Sequence, residues 1–188
     1  IGRDSAVVAL LEETAAELAR RLGVDYLELR NRSATRPEWP TKDLYVTFRR
    51  PITGDPEENL AAIPRKQRAM VRKGIAKQLT ARSGQDVVTL YQLYSESLRN
   101  LGTPVFSRRV FEALLREFPD ETDVVVVSHG TQALAAVMNF YFRDEVLPYY
   151  GGGTAQARDY AANDFMYWEV MRAAAERGCR VFDYGRSK

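Results

Sequence analysis

The sequence has one cysteine, Cys179, and one histidine, His129. A lone cysteine excludes an internal disulfide and any cysteine-cluster metal site, and a lone histidine excludes a histidine-rich one. A Ser/His/Asp triad would have to use His129, and no nucleophile elbow accompanies it. No apolar run approaches the roughly 20 residues that span a bilayer. No signal peptide is visible, so a cytoplasmic location is expected. Acidic residues are missing between Glu58 and Asp86, where Arg65, Lys66, Arg68, Arg72, Lys73, Lys77 and Arg82 fall. Internal repeats and low-complexity segments are also lacking.

What is present is ordinary globular protein: 188 residues, 45% apolar and 28% charged, with net charge +2. That length fits one large domain or parts of two. The chain opens on Ile1 rather than methionine and reads as a piece whose true start is absent. Val7, Leu10, Leu11, Thr14, Leu18 and Leu22 recur at helical spacing, which predicts a helix over 5–22 ended by Gly23. Asp25 to Arg30 alternates and predicts a strand; Leu44 to Phe48 predicts a second. A short helix follows over 57–63. A helix and two strands cannot enclose a core alone, so residues 1–60 read as the end of a first domain.

Residues 61–188 read as most of a second domain. Pro64 suits the first turn of a basic helix running to Lys73, interrupted by Gly74. A short strand over 75–81 is expected, then helices over 87–101 and 108–118, the second capped by Ser107. Four consecutive valines within 123–128 predict a strand buried on both faces. Strands over 133–142 and 146–151 complete a meander. The second of these ends at Gly151-Gly152-Gly153, read as a break. Asn163 and Asp164 open a helix to about Arg177, and Arg180 to Arg186 returns as a strand. The helix allows the two strands around it to lie parallel.

That element order is the acetyltransferase-like (GNAT) arrangement, an α/β fold. In it the two strands flanking the last helix splay apart and the acyl donor lies in the split. Pro64 to Lys73 resembles the basic helix of the Fem-type aminoacyltransferases. Leu147 to Gly153, Asn163 to Glu169 and Val181 to Lys188 resemble the FemAB-related proteins associated with exosortase (PEP-CTERM) systems. The resemblance covers nearly the whole chain and implies tandem GNAT-like domains, here truncated at both ends. It implies an acyltransferase that moves an aminoacyl group onto an amine acceptor, in cell-envelope or exopolysaccharide biosynthesis. Aminoacyl-tRNA is the donor it suggests, with no metal and no tightly bound cofactor. A coenzyme-A acetyltransferase carries Arg/Gln-x-x-Gly-x-Gly/Ala between strand and helix. Here Gly151 to Arg158 lacks that spacing. A coenzyme-A N-acyltransferase and a non-catalytic module binding an anionic polymer are the alternatives.

Each candidate residue has a plain structural reading beside the functional one. Gly151 and Gly152 make a turn, or let substrate approach the backbone closely. Tyr149 and Tyr150 should point to opposite faces of their strand, one into the core and one into the cleft. Asn163 and Asp164 cap their helix, or meet the substrate. Asp183 is ion-paired to Arg180 or Arg186, or takes the proton of the attacking amine; Asp164 is the second candidate base. Arg186 and Lys188 form a solvated terminus, or hold an anionic group. Arg65, Arg68, Arg72 and Lys73 form a solvated stripe, or meet the phosphates of tRNA or of a nucleotide-linked acceptor. Phe165, Trp168 and Met171 read as core. Cys179 reads as buried and His129 as exposed.

Overall fold

Val124, Val125, Val126 and Val127 form the centre of a sheet covered on both faces, and all four are buried. Their strand, β3 (Thr122–His129), runs antiparallel to β4 (Gln132–Phe142), and β4 to β5 (Glu145–Gly153). β2 (Thr80–Gly84) flanks β3, while β6 (Val181–Ser187) and β1 (Val46–Pro51) extend the other side. The order is β1-β6-β5-β4-β3-β2, and β5–β6 is its parallel pair. The structure, a computed structural model, describes residues 4–31 and 35–187.

Val124 and Val126 pack under α4 (Val87–Asn100) and α5 (Arg108–Glu117), with Leu90, Leu93, Phe111 and Leu115. Val125 and Val127 face α3 (Arg65–Ala76) and α7 (Ala162–Glu176), with Val71, Phe165, Trp168 and Met171. Alternation along one strand thus feeds two cores. Phe165, Trp168 and Met171 are core as expected. Burying each such side chain contributes about 1.5–3 kcal/mol, which is ample to hold α7 across the sheet. The expected α/β arrangement of helix, helix, meander, crossover helix and parallel strand is therefore present.

The chain divides into two compact units, one ending at Leu44 and one starting at Tyr45. In the first, α1 (Ser5–Leu22) is capped by Asp4, which accepts from Val7 N, and stopped by Gly23 at φ 63°. The buried Glu12 accepts from Asn31, Thr35 and Arg36, tying the segment after α1 back to it. Burial opposes its charge, but these donors hold its carboxyl below the usual range, with Thr35 the largest influence. Asp25 to Arg30 is not a strand. It alternates, yet it has no ladder among the described residues, and alternation without a partner makes no sheet.

In the larger unit, the strand expected over 44–48 overlaps β1, which starts at Val46, runs on to Pro51 and pairs with β6. α2 (Pro56–Ala62) follows, capped by Asp55. Gly74 does not interrupt α3. A Cβ there would stand 2.7 Å from Phe165 Cβ, so glycine is what lets α3 lie directly on α7. The strand expected over 75–81 starts only at Thr80, because α3 continues to Ala76. No described helix is long and apolar enough to cross a membrane.

Candidate active site

The parallel pair β5–β6 is short. Glu145 pairs with Val181 and Val146 with Phe182, and the pairing ends there. At this closed end Arg180 N and Val181 N donate to Asp144 O, at 2.7 and 3.0 Å. Arg49 on β1 bridges Glu145 and Asp183 from the same end. Beyond it β5 stays with β4, and β6 stays with β1 through Val46↔Ser187. The two strands therefore diverge. The backbone edge of β5 from Leu147 to Gly153 faces a split, without a strand partner on that side among the described residues. The splay expected between the two strands flanking the last helix is present: their starts pair and their later residues do not.

The glycine triplet is part of β5 and does not break it, since Gly151, Gly152 and Gly153 pair with Val137, Ala136 and Ala135. A Cβ on Gly152 would meet Leu93 O at 2.6 Å and Tyr94 Cα at 2.7 Å, so α4 packs on this glycine backbone to backbone. Side chains are excluded there by a helix. Gly153 N donates to Ser97 Oγ at 3.4 Å, and a Cβ on Gly153 would lie 3.3 Å from Asn163 Oδ1. The end of β5 thus touches the start of α7. The adjoining Thr154 hydroxyl is buried and has no hydrogen-bond partner among the described residues.

Tyr149 and Tyr150 do not point to opposite faces. The register steps from Met138↔Tyr150 to Asn139↔Pro148, which leaves Tyr149 as the extra residue of a bulge. Both rings turn to the side of α4 and α5. They meet edge to face with centroids 4.8 Å apart, and each contacts Phe140. Tyr150 also packs on Tyr94 and Phe111, and Tyr149 stays exposed.

Asn163 and Asp164 are not caps. A single turn, α6 (Ala157–Tyr160), precedes α7, and the N-cap of α7 is Ala161 at φ 55°, with no side-chain cap bond. Asn163 and Asp164 lie in the first turn of α7, at the positive end of the helix dipole. Partial burial pushes the Asp164 carboxyl above the usual carboxylate range, against its own backbone N–H, which lowers it. Tyr167, one turn on, stacks with Tyr184 of β6 at 6.4 Å and 20°. Burial, then the neighbouring Tyr184, raises its hydroxyl above the usual range.

Asp183 has neither expected partner. Its Oδ1 accepts from Thr47 Oγ1 at 2.9 Å and from Gly185 N at 2.7 Å, and its Oδ2 lies 3.5 Å from Arg49 Nε. Register explains this: β1 runs alongside β6 and brings Arg49 opposite Asp183. Arg186 stands over the ring of Tyr45, with its guanidinium carbon 4.1 Å from the centroid. Lys188 lies outside the described residues.

The basic stripe is divided by its position. Arg68 donates to Ala61 O at 2.8 Å, at the end of α2, and Arg65 opens the same end of α3. Arg72 and Lys73 immediately precede Gly74, which lies against Phe165, and Lys77 Nζ stands 6.0 Å from the centre of the Tyr160 ring. The C-terminal end of α3 is therefore the end near the start of α7. His129 is exposed as expected, with its ring 4.7 Å from that of Tyr160, and Cys179 is buried. Sequence reasoning singled out neither Tyr160, Tyr167 nor Tyr184 as a site residue. Their helical and alternating spacing signals only packing.

Residues 59–188 match the family model described as "Acetyltransferase (GNAT) domain". Among solved structures the chain is similar to FemX at a TM-score of 0.67 and 14% identity, over 74% of this chain and 52% of that one. It is also similar to the C-terminal domain (DUF2156) of a putative lysylphosphatidylglycerol synthetase from Agrobacterium fabrum. That match has a TM-score of 0.51 and 18% identity, over 67% of this chain and 44% of that one. L-PGS from Bacillus licheniformis gives a TM-score of 0.51 and 14% identity, over 76% and 46% of the two chains. The chain thus spans about half the length of these structures, and at such identities the likeness is one of fold. No curated protein matches the chain significantly.

Proposed function

The chain belongs to the acetyltransferase (GNAT) domain family, and from that premise we propose that it transfers an aminoacyl group onto an amine at the split between β5 and β6. The observation that carries this reading is the pairing of those strands at two positions only, followed by divergence beside the start of α7. A free strand edge and an uncapped helix start offer backbone N–H groups where negative charge develops on the attacked carbonyl.

In the proposed reaction the neutral amine attacks the carbonyl carbon of the donor ester. The amine's proton passes to a carboxylate, and the ester oxygen leaves with its electron pair. Asp164 is the better placed base, because it stands in the first turn of α7 and its raised pKa brings it nearer neutral pH. Asp183 is committed to Thr47, Gly185 and Arg49, which favours a structural role at the closed end. Positioning of amine and ester supplies the larger share of the acceleration.

Aminoacyl-tRNA is the donor supported by the missing coenzyme-A spacing over 151–158 and by the cations Arg72, Lys73 and Lys77 at the C-terminal end of α3, the end at which Gly74 meets Phe165 of α7. A role in cell-envelope or exopolysaccharide assembly is supported by the resemblance to Fem-type motifs alone. Incubation with charged tRNAs and, separately, with acyl-coenzyme A tests the donor. Amine-dependent loss of aminoacyl-tRNA is expected. Consumption of acyl-coenzyme A alone would return the chain to coenzyme-A-dependent N-acyl transfer, and consumption of neither would favour a binding module.

A further inference from the structure

The two sides of the split differ in chemistry. The α3/α7 side carries Arg72, Lys73 and Lys77. On the other side, the α4–α5 loop from Leu101 to Ser107 holds no charged residue. It exposes Leu101 and Phe106, at 75% and 57%, and Tyr149 of β5 is 54% exposed. The Phe106 ring meets Tyr150 edge to face at 6.4 Å, and Tyr150 contacts Tyr94 at 5.9 Å and Tyr149 at 4.8 Å. Exposed aromatic rings of this density, continuous with an open strand edge, are unusual on a surface that meets only water.

We propose that Phe106, Tyr94, Tyr149 and Tyr150 form the acceptor subsite, and that it takes a primary amine carried on an aromatic group. The inference rests on the acyl-transfer reading and adds the class of acceptor to it. Tyr149 and Tyr150 belong to β5 itself, at the bulge, so a ring lodged among them holds its amine beside the open β5 edge where the donor carbonyl is placed. Aromatic rings favour edge-to-face contact, which the cluster already uses internally and offers at its exposed members. The Tyr94, Tyr149 and Tyr150 hydroxyls make no hydrogen bond among the described residues. Burial raises those of Tyr94 and Tyr150, which keeps them protonated and uncharged at neutral pH. They remain able to bond a polar substituent on the ring.

The test compares phenethylamine with ethanolamine, by kcat/KM with the consumed donor and by calorimetric binding to the full chain. Phenethylamine is expected to lead by roughly tenfold or more. Phe106→Ala should collapse that ratio through KM, with Phe106→Leu intermediate, and thermal unfolding of each variant checks the fold. Equal kcat/KM and equal binding of the two amines would overturn the proposal, as would a ratio that survives Phe106→Ala. Phenethylamine binding that is lost in Phe106→Ala without any acyl transfer would support the subsite while removing the acyl-transfer reading. Transfer to ethanolamine without phenethylamine binding would do the reverse.

Discussion

Gly74 in α3 lies so close to Phe165 in α7 that a Cβ on the glycine would stand 2.7 Å from the Cβ of the phenylalanine. Two opposing effects bear on Gly74→Ala. Alanine is favoured over glycine inside a helix by about 1 kcal/mol. Overpacking costs about 1–3 kcal/mol, and here the obstructing atom is a Cβ, which cannot move without its helix. Overpacking should win, and the midpoint of thermal unfolding should fall by several degrees. A rise would mean that α3 slides freely over α7.

Gly152→Ala should be more severe, because the added Cβ would meet the α4 backbone at Leu93 O, 2.6 Å away. Separation of α4 from β5 should lower stability by about 1–3 kcal/mol or more in denaturant unfolding. Wild-type stability would mark the triplet as an ordinary flexible turn after all.

These two glycines show where the sequence is legible and where it is not. The valine run of β3 gives its strand directly, since a continuous apolar run and burial on both faces agree. Glycine has the same signature whether it turns the chain or admits another backbone, and only the position of α4 or α7 decides. Tyr149 and Tyr150 were misread for a related reason, because the bulge is a property of the β4–β5 register and not of either residue. The Asp183 partner, Arg49, comes from β1, a strand that sequence analysis assigned to a different domain.

Asp164→Asn should reduce turnover by roughly 10²–10⁴-fold with the fold intact. The raised pKa fixes the sign of two pH effects. Activity that needs the carboxylate should fall as pH drops through a value above the usual carboxylate range. Stability contributed by the protonated form is present at low pH and lost as pH rises through the same value. Asp164→Asn should therefore gain slightly in unfolding midpoint at neutral pH relative to acid. Normal turnover in this variant would remove Asp164 from the mechanism.

Asp183→Asn should act on stability, since it weakens the contact with Arg49 and alters two accepted hydrogen bonds. A loss of about 1–3 kcal/mol is expected, with activity per folded molecule retained. Melting temperature and turnover measured on one preparation separate this from a catalytic loss. A fully stable variant without turnover would restore Asp183 as the base.

The central claim is that the donor occupies the split beside the start of α7. Hydrogen exchange, with and without an aminoacylated RNA minihelix, tests it directly. Slowed exchange is expected along β5 from Leu147 to Gly153, in the first turn of α7, and at the C-terminal end of α3. Protection confined to α5 or to the β2 edge, with these amides unchanged, would contradict the account.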